Sequence, residues 1–393
     1  MQPAKRVSNL KPYFFANLSK RVQALTEQGV DVIRLDIGSP DLPPPDFIID
    51  TLTENARKPN THGYTAYGGT PAYRKAVTHY YGQRFGVELD WRTQVVGLIG
   101  SKEGLFTIGQ VLLNPGDVSL IPDPAYATYA ISTEIAGAEM YALPLLEENG
   151  FLPDLDSIPA DILARAKILW LNYPNNPTGA IAPLEFFVHA VAFAREHDFM
   201  IAHDAPYVDI CYNGYHAPSI LQVPGAFDVA VEFNSLSKAY NMAGWRVGMA
   251  VGNPEVVGYI EAYKSQVDTS HFEPILAGGI AALTGDQTWI QDRNQIYQNR
   301  RDVVVAGLRA MGLKLLVPQA ALYAWARVPE GVEEMDFCAR LLEKTGVSVT
   351  PGPVFGNYGK GFLRISFCIP QARLEEGMAR MVNWMNGSAQ GAA

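Results

Sequence analysis

Cysteine is scarce. The chain has only Cys211, Cys338 and Cys368, far apart and without a paired framework or a zinc-ligand spacing. We therefore expect neither a disulfide scaffold nor a metal site, and we infer a reducing cytoplasmic setting. Long apolar runs are also missing, with none near the roughly 20 residues that a membrane-spanning helix needs. The opening "MQPAKRVSNLKPYFFANLSK" lacks an apolar core followed by a small-residue cleavage site. A soluble intracellular protein is expected. Basic clusters are absent too: the formal net charge is −9, spread along the chain, which argues against a nucleic-acid partner. No internal repeat or low-complexity tract is visible.

What is present is a foldable chain of some length. At 393 residues it is long for a single hydrophobic core, and 48% apolar against 18% charged residues excludes a disordered tail. The proline-rich "GSPDLPPP" (Gly38–Pro45) marks a boundary. We expect an N-terminal arm (1–45), a large domain (46–283) and a smaller C-terminal α+β domain (284–393), with the arm packing on the small domain. "AYRKAVTHYYGQRFG" reads as a helix with Tyr73, Ala76, Val77, Tyr80 and Tyr81 on one face and Gly86 just past its end. "EGLFTIGQVLLNPG" reads as a helix stopped by Pro115 and Gly116.

Short apolar runs, "TQVVGLIG", "DVSLIPD", "AEMYALPL", "AKILWLNYP", "MIAHDAPY" and "DVAVEFNSLSK", read as strands separated by helical stretches such as "PLEFFVHAVAFAREHD". Continuous runs of this kind suit a mostly parallel sheet with helices on both faces, an α/β domain. After the long helix "TWIQDRNQIYQNRRDVVVAGLRAMG", strands are expected near "ALYAWARV", "VSVTPG" and "FLRISF".

In parallel sheets, sites form beyond the carboxyl ends of the strands. Polar clusters stand at those ends here: "GSKEG", "PDPAYATY", "NYPNNPTG", "HDAPY" and "SLSK". Each has an ordinary reading alone, as a capped turn, a helix cap or a solvated lysine. Their joint occurrence at successive strand ends points to chemistry.

The central residue is Lys238, in "SLSKAYNMAGWRVG", which has no carboxylate within five residues on either side. A lysine held without a counter-charge, near a cation, loses its proton readily and forms a Schiff base. If the partner aldehyde is that of pyridoxal 5'-phosphate, the other clusters fall into place. Asp204 would keep the pyridine nitrogen protonated. Asn176 and Tyr207 would donate to the ring oxygen, and Tyr126 would stack on the ring. Gly100, Ser101 and Lys102 at a helix N-terminus, with Ser235, Ser237 and Arg246, would hold the phosphate. Arg364 in "FLRISF" would take a substrate α-carboxylate in bidentate fashion.

"SLSKAYNMAGWRVG", "NYPNNPTG", "HDAPY", "VTPGPVFG" and "FLRISF", in this order, resemble the class I/II aminotransferases, fold-type I enzymes that use pyridoxal phosphate. The resemblance runs from "RLDIGSPDLPPP" to "FLRIS", nearly the whole chain. It implies a large domain whose mostly parallel sheet is seven-stranded in type, the roles just described, with Lys238 also shuttling a proton, and a homodimer with sites at the subunit interface. Tyr64, in "HGYTAYGGTPAYR", matches the tyrosine that reaches the partner's phosphate; it reads equally as a core aromatic preceding a helix.

Within the family, "GSPDLPPP", "LIGSKEG", "LNPGD", "PDPAY" and "ISTEIAGAEMYALPLLEENGFLPDL" are similar to bacterial LL-diaminopimelate aminotransferases. That likeness implies Gly38, Lys102, Asn176 and Arg364 as substrate contacts, and a ping-pong exchange between LL-diaminopimelate and 2-oxoglutarate in lysine biosynthesis. The partners expected are thus an amino acid and a 2-oxo acid. Side-chain selection would fall to residues of both subunits, including the arm near 13–17. An alanine, aspartate or aromatic aminotransferase, or a lyase using the same cofactor, stays open.

Three places depart from the family pattern: Pro206 before Tyr207, Ala127 after Tyr126, and the segment "DTSHFEPILAGG" (Asp268–Gly279). In that segment relatives often carry Ser-Gly at the start and a glutamine near Leu276.

Overall fold

The computed structural model describes residues 2–8 and 14–390. Its first strand, β1 (Ile33–Arg34), is a short piece of the N-terminal segment. The main sheet comprises β2 (Val95–Ile99), β3 (Val118–Asp123), β4 (Glu139–Pro144), β5 (Ala166–Leu171), β6 (Met200–Asp204), β7 (Ala230–Ser235) and β8 (Val247–Gly252). They lie in the order β2-β8-β7-β6-β5-β3-β4. β8 runs antiparallel to both neighbours, while the other pairings are parallel, so six strands point one way. Their carboxyl ends share one edge of the sheet, joined there by the start of β8.

Burial on both faces explains the continuous apolar runs. Successive side chains of a strand point to opposite faces. Leu169 and Leu171 of β5 enter one core with Tyr73, Val77 and Phe187; Ile168 and Trp170 enter another with Leu105, Ile108 and Ile260. Each such side chain, fully buried, contributes roughly 1.5–3 kcal/mol. β4, at the sheet's edge, exposes Glu139, Met140 and Ala142, as an unpaired edge tolerates.

The helices begin and end where local chemistry dictates. The helix Pro71–Phe85 starts with proline in its first turn, and the Thr70 side chain accepts from the Tyr73 amide at 3.2 Å. It ends at Gly86, whose φ of +66° is left-handed.

A second, antiparallel sheet consists of β9 (Tyr323–Arg327), β11 (Thr350–Pro351) and β12 (Phe362–Ser366), in the order β11-β12-β9. The intervening β10 (Val347–Ser348) pairs with β1 instead. The N-terminal segment is tied to this part of the chain: Arg21 of the helix Phe14–Glu27 pairs with Glu343, and Leu35 accepts the Ser366 amide at 2.7 Å.

Two details differ from the sequence expectation. "VSVTPG" is two short strands serving two sheets, because the chain passes from one to the other at Val349. β8 was not foreseen, since glycines at Gly248 and Gly252 disguise it. The glycine at 248 is required: a Cβ there would lie 2.7 Å from the Ser101 amide nitrogen.

Candidate active site

At the carboxyl edge of the large sheet lies a cavity of about 980 Å³. Its walls come from the ends of β3, β5, β6 and β7, from the N-terminal segment, and from β9 and β12.

Asp204 closes β6 and is nearly buried. The Tyr129 hydroxyl donates to its Oδ2 at 2.7 Å, while Oδ1 is buried without a hydrogen-bond partner among the described residues. The Asn172 side-chain amide donates to its main-chain carbonyl at 2.6 Å, which fixes the strand end. Burial raises the Asp204 carboxyl to about 6, against the pull of the Tyr129 hydroxyl and of the nearby His203 and Lys238. A buried carboxylate oxygen with nothing to accept is a demand for a donor from the cavity.

Tyr129 escaped the sequence reading. It is fully buried and stacked on Trp170 at 4.7 Å, and Trp170 is itself fixed by a 2.8 Å bond from its indole nitrogen to Ser119. Its sequence signal was its spacing, three residues beyond Tyr126, which sets both rings on one side of a helical turn.

Lys238 sits on the turn Leu236–Ala239 that follows β7, capped by the Ser235 hydroxyl accepting from the Ser237 amide at 3.2 Å. Its amine donates to the Gly38 carbonyl at 2.5 Å and makes no ion pair among the described residues. Burial lowers its proton affinity, and the cations of Arg364 and Arg246 lower it further, against the opposing pull of Cys368 and Asp204. This is the setting in which a lysine serves as base or nucleophile near neutrality.

Next to it, hydroxyls and a guanidinium converge. Ser235 Oγ donates to Ser237 Oγ at 2.9 Å, and Arg246 Nη1 donates to Ser237 Oγ at 3.2 Å. Gly100, with φ of +73°, leads into the helix Ser101–Leu112, and a Cβ on it would meet Arg246 Nη2 at 2.1 Å. The guanidinium thus lies against the bare main chain at a helix N-terminus, an anion-binding arrangement.

The unusual 268–279 segment braces this corner. The ring of His271 bonds the Arg246 carbonyl at 2.8 Å, and its own carbonyl accepts from Thr65 at 2.9 Å. Buried Lys264 bonds Asp268 at 2.6 Å and Glu103 at 2.9 Å, and Glu103 also accepts the Ile99 amide at 2.6 Å.

Arg364 is presented from β12, nearly buried. Its Nη1 donates to Asn176 Oδ1 and its Nη2 to the Asp36 carbonyl, both at 2.8 Å. Its Nε is buried without a hydrogen-bond partner among the described residues. Tyr207 shares a 2.9 Å hydroxyl contact with Tyr323, a residue the sequence reading also passed over. The Lys102 ammonium lies 6.0 Å from the centre of the Tyr126 ring.

Of the residues singled out in the sequence, the structure brings Gly38, Ser101, Lys102, Tyr126, Asn176, Asp204, Tyr207, Ser235, Ser237, Lys238, Arg246 and Arg364 to the cavity wall. Pro206 and Ala127, two of the departures, also line it. Gly100 lies behind Arg246 rather than on the wall. Tyr64 does not line the cavity; its side chain is 93% exposed. In the arm segment 13–17, residue 13 lies outside the described residues, and Phe14 and Phe15 line the cavity.

A sheet edge with these groups around one cavity defines a class of protein, and comparison with known proteins agrees. The family Aminotransferase class I and II matches residues 30–381. The chain belongs to this family and is an amino-group transferase of the fold-type I architecture. LL-diaminopimelate aminotransferase from Moorella thermoacetica is 47% identical over 381 residues, 97% of this chain and 98% of the relative. The protein of the same name from Dehalococcoides mccartyi is 47% identical, covering 98% of this chain and 99% of its own. Among solved structures, substrate-bound BacF from Bacillus subtilis superposes with a TM-score of 0.94 at 35% identity, covering 98% of each chain. Aspartate aminotransferase from Thermus thermophilus gives 0.90 at 29% identity, covering 98% of this chain and 99% of that one.

Proposed function

We propose that the cavity holds pyridoxal 5'-phosphate and that the enzyme exchanges the amino group of LL-diaminopimelate with 2-oxoglutarate, in lysine biosynthesis. The observation that carries the cofactor reading is the pairing, on one cavity wall, of a carboxylate oxygen (Asp204 Oδ1) without a hydrogen-bond partner and a lysine (Lys238) without an ion pair among the described residues. The first fits a protonated pyridine nitrogen, the second an aldehyde carbon. Support for the substrate comes from relatives near 47% identity bearing the LL-diaminopimelate name, whereas structural neighbours at 29–38% identity carry several names.

When bound, the cofactor supplies an aldehyde that takes up amino groups and a ring that holds electrons. The chain's own residues supply the rest. Ser101, Ser235, Ser237 and Arg246 would bind the phosphate, with Gly100 letting the main chain come close. Tyr126 would cover one face of the ring. Asp204 would hold the proton on the ring nitrogen, and Tyr129 would orient Asp204. Asn176 and Tyr207 would donate to the ring oxygen. Arg364 would seat the α-carboxylate, with Gly38 and Asn176 beside it and Lys102 positioned toward the side chain. Lys238 would first hold the aldehyde carbon. Its Nζ, when free, would be placed to move a proton at the substrate α-carbon.

The active unit we propose is a cytoplasmic homodimer. The three free thiols fit a reducing compartment. The exposed Tyr64, with Tyr67, Val267 and Phe272 also exposed, fits a surface that a second copy covers and through which Tyr64 reaches the partner's phosphate. Sedimentation should give about twice the 43.0 kDa chain mass; a fully active monomer would contradict this.

The substrate is tested by half-reactions. Amino acids are added singly to the yellow enzyme, and loss of its visible band is timed. LL-diaminopimelate and glutamate should bleach it rapidly, with alanine, aspartate and aromatic amino acids slow. Rapid bleaching by those three instead would keep the aminotransferase and discard this donor.

A further inference from the structure

Tyr323, on β9, is the aromatic at which the two ends of the cavity meet. Its hydroxyl lies 2.9 Å from the Tyr207 hydroxyl and 3.4 Å from the Gly38 carbonyl. The same carbonyl accepts the Lys238 amine. The Arg364 guanidinium lies 4.3 Å from the centre of the Tyr323 ring. The ring itself is 2% exposed and packs so closely on Gly38 that a Cβ there would fall 2.1 Å from the Tyr323 oxygen. One side chain therefore touches the tyrosine assigned to the ring oxygen, the arginine assigned to the substrate carboxylate, and the main chain that anchors the lysine.

The protons decide what it does. A phenol has one proton to donate. If Tyr207 turns its proton toward an acceptor in the cavity, its oxygen is left to accept, and Tyr323, whose other acceptor is the Gly38 carbonyl at the longer 3.4 Å, is the donor in reach at 2.9 Å. A donor onto the Tyr207 oxygen polarises that hydroxyl and makes it a stronger donor in turn. The nearby guanidinium charge strengthens Tyr323 as a donor and is itself held by the ring face.

We propose that Tyr323 is a positioning residue of the reaction: through its hydroxyl it sets the hydrogen bond that Tyr207 offers the cofactor's ring oxygen, and through its ring it seats Arg364 for the substrate carboxylate. This rests on the cofactor reading above. The two halves separate by substitution. Tyr323→Phe removes the hydroxyl and keeps the ring; Tyr323→Leu removes both.

The test is a pH titration of the visible band of the holoenzyme, beside steady-state kinetics and thermal unfolding. A weaker hydrogen bond to the ring oxygen favours its protonated form. Tyr323→Phe should therefore move the midpoint up by roughly half to one pH unit, the size that one lost hydrogen bond carries. KM for the amino donor should stay close to wild type. Tyr323→Leu should add an increase in KM of about tenfold. In a Tyr207→Phe background, Tyr323→Phe should leave the midpoint where Tyr207→Phe had put it.

A wild-type midpoint in Tyr323→Phe overturns the proposal. So does a full shift that persists without the Tyr207 hydroxyl, or a loss of stability with an unmoved midpoint, which is what a purely structural role gives. A wild-type protein with no visible band overturns the cofactor reading itself, a result distinguishable from all of these.

Discussion

At the scale of residues, the proposed chemistry works against the fold. Burial raises the Asp204 carboxyl from its ordinary 3.8 to about 6. Between those values the folded, cofactor-free protein holds a proton that the unfolded chain has released. Its stability therefore falls as pH rises through that window and stays lower above it, by about 3 kcal/mol for a shift of this size. A protonated ring nitrogen beside Oδ1 would offset that penalty. Asp204→Asn should stabilise the cofactor-free protein by up to about 3 kcal/mol near pH 8 and by little near pH 4. It should also lower turnover by roughly a thousandfold. Urea unfolding at the two pH values measures the first effect; equal stability of variant and parent at the higher pH would contradict it.

The two tyrosines the sequence did not disclose, Tyr129 and Tyr323, explain the limit of reading at this scale. Each sits in an apolar, alanine-rich run, "AYATYA" and "ALYAWA", where an aromatic looks like packing. Both are indeed buried; only the approach of Asp204 to one and of Tyr207 to the other gives their hydroxyls a role. Such approaches join positions 75 and 116 residues apart, which local pattern does not encode. The gathering of Lys238, Asp204 and Arg364 on one cavity wall was legible because an uncharged surrounding, a strand end and a strand motif leave local traces.

At the scale of elements, turns around the site are under tighter constraint than turns elsewhere. Gly100 and Gly86 both have positive φ, +73° and +66°, but with ψ of +154° Gly100 lies in a region open essentially to glycine alone, whereas Gly86, with ψ of +23°, is left-handed helical. A side chain at Gly86 would meet nothing within 4 Å, whereas at Gly100 it would displace the Arg246 guanidinium. Gly86→Ala should therefore cost about 1–2 kcal/mol of stability and leave cofactor affinity intact. Gly100→Ala should carry a backbone penalty at least as large and weaken cofactor binding at least about tenfold. Equal affinities by fluorescence titration would show that the guanidinium relocates freely.

Elements were legible where one signal dominated. The helix ahead of Gly86 announces its end by that glycine, and buried strands announce themselves by unbroken apolar runs. β8 did not, because its glycines answer to close main-chain neighbours, Gly248 to Gly100 and Ser101 and Gly252 to Ala230, rather than to strand propensity.

At the scale of the molecule, the cavity is closed by parts of the chain that are remote in sequence. Arg364 from β12 bonds Asn176 beyond β5, and Asp123 at the end of β3 accepts the amides of Asn357 and Tyr358 at 2.9 Å. Gly38 and the Asp36 carbonyl bring in the N-terminal segment. The architecture could be read from alternation of strand and helix, but this closure could not, since it depends on which strand ends face which.

The central claim is that Lys238 holds the cofactor from which amino groups are passed on. The most direct measurement is borohydride reduction of the purified enzyme followed by peptide mass mapping. We predict a single pyridoxyl phosphate adduct, on the peptide containing Lys238, which disappears if LL-diaminopimelate is added before reduction. An adduct on another lysine, or none on an enzyme that still transfers amino groups, would contradict the account.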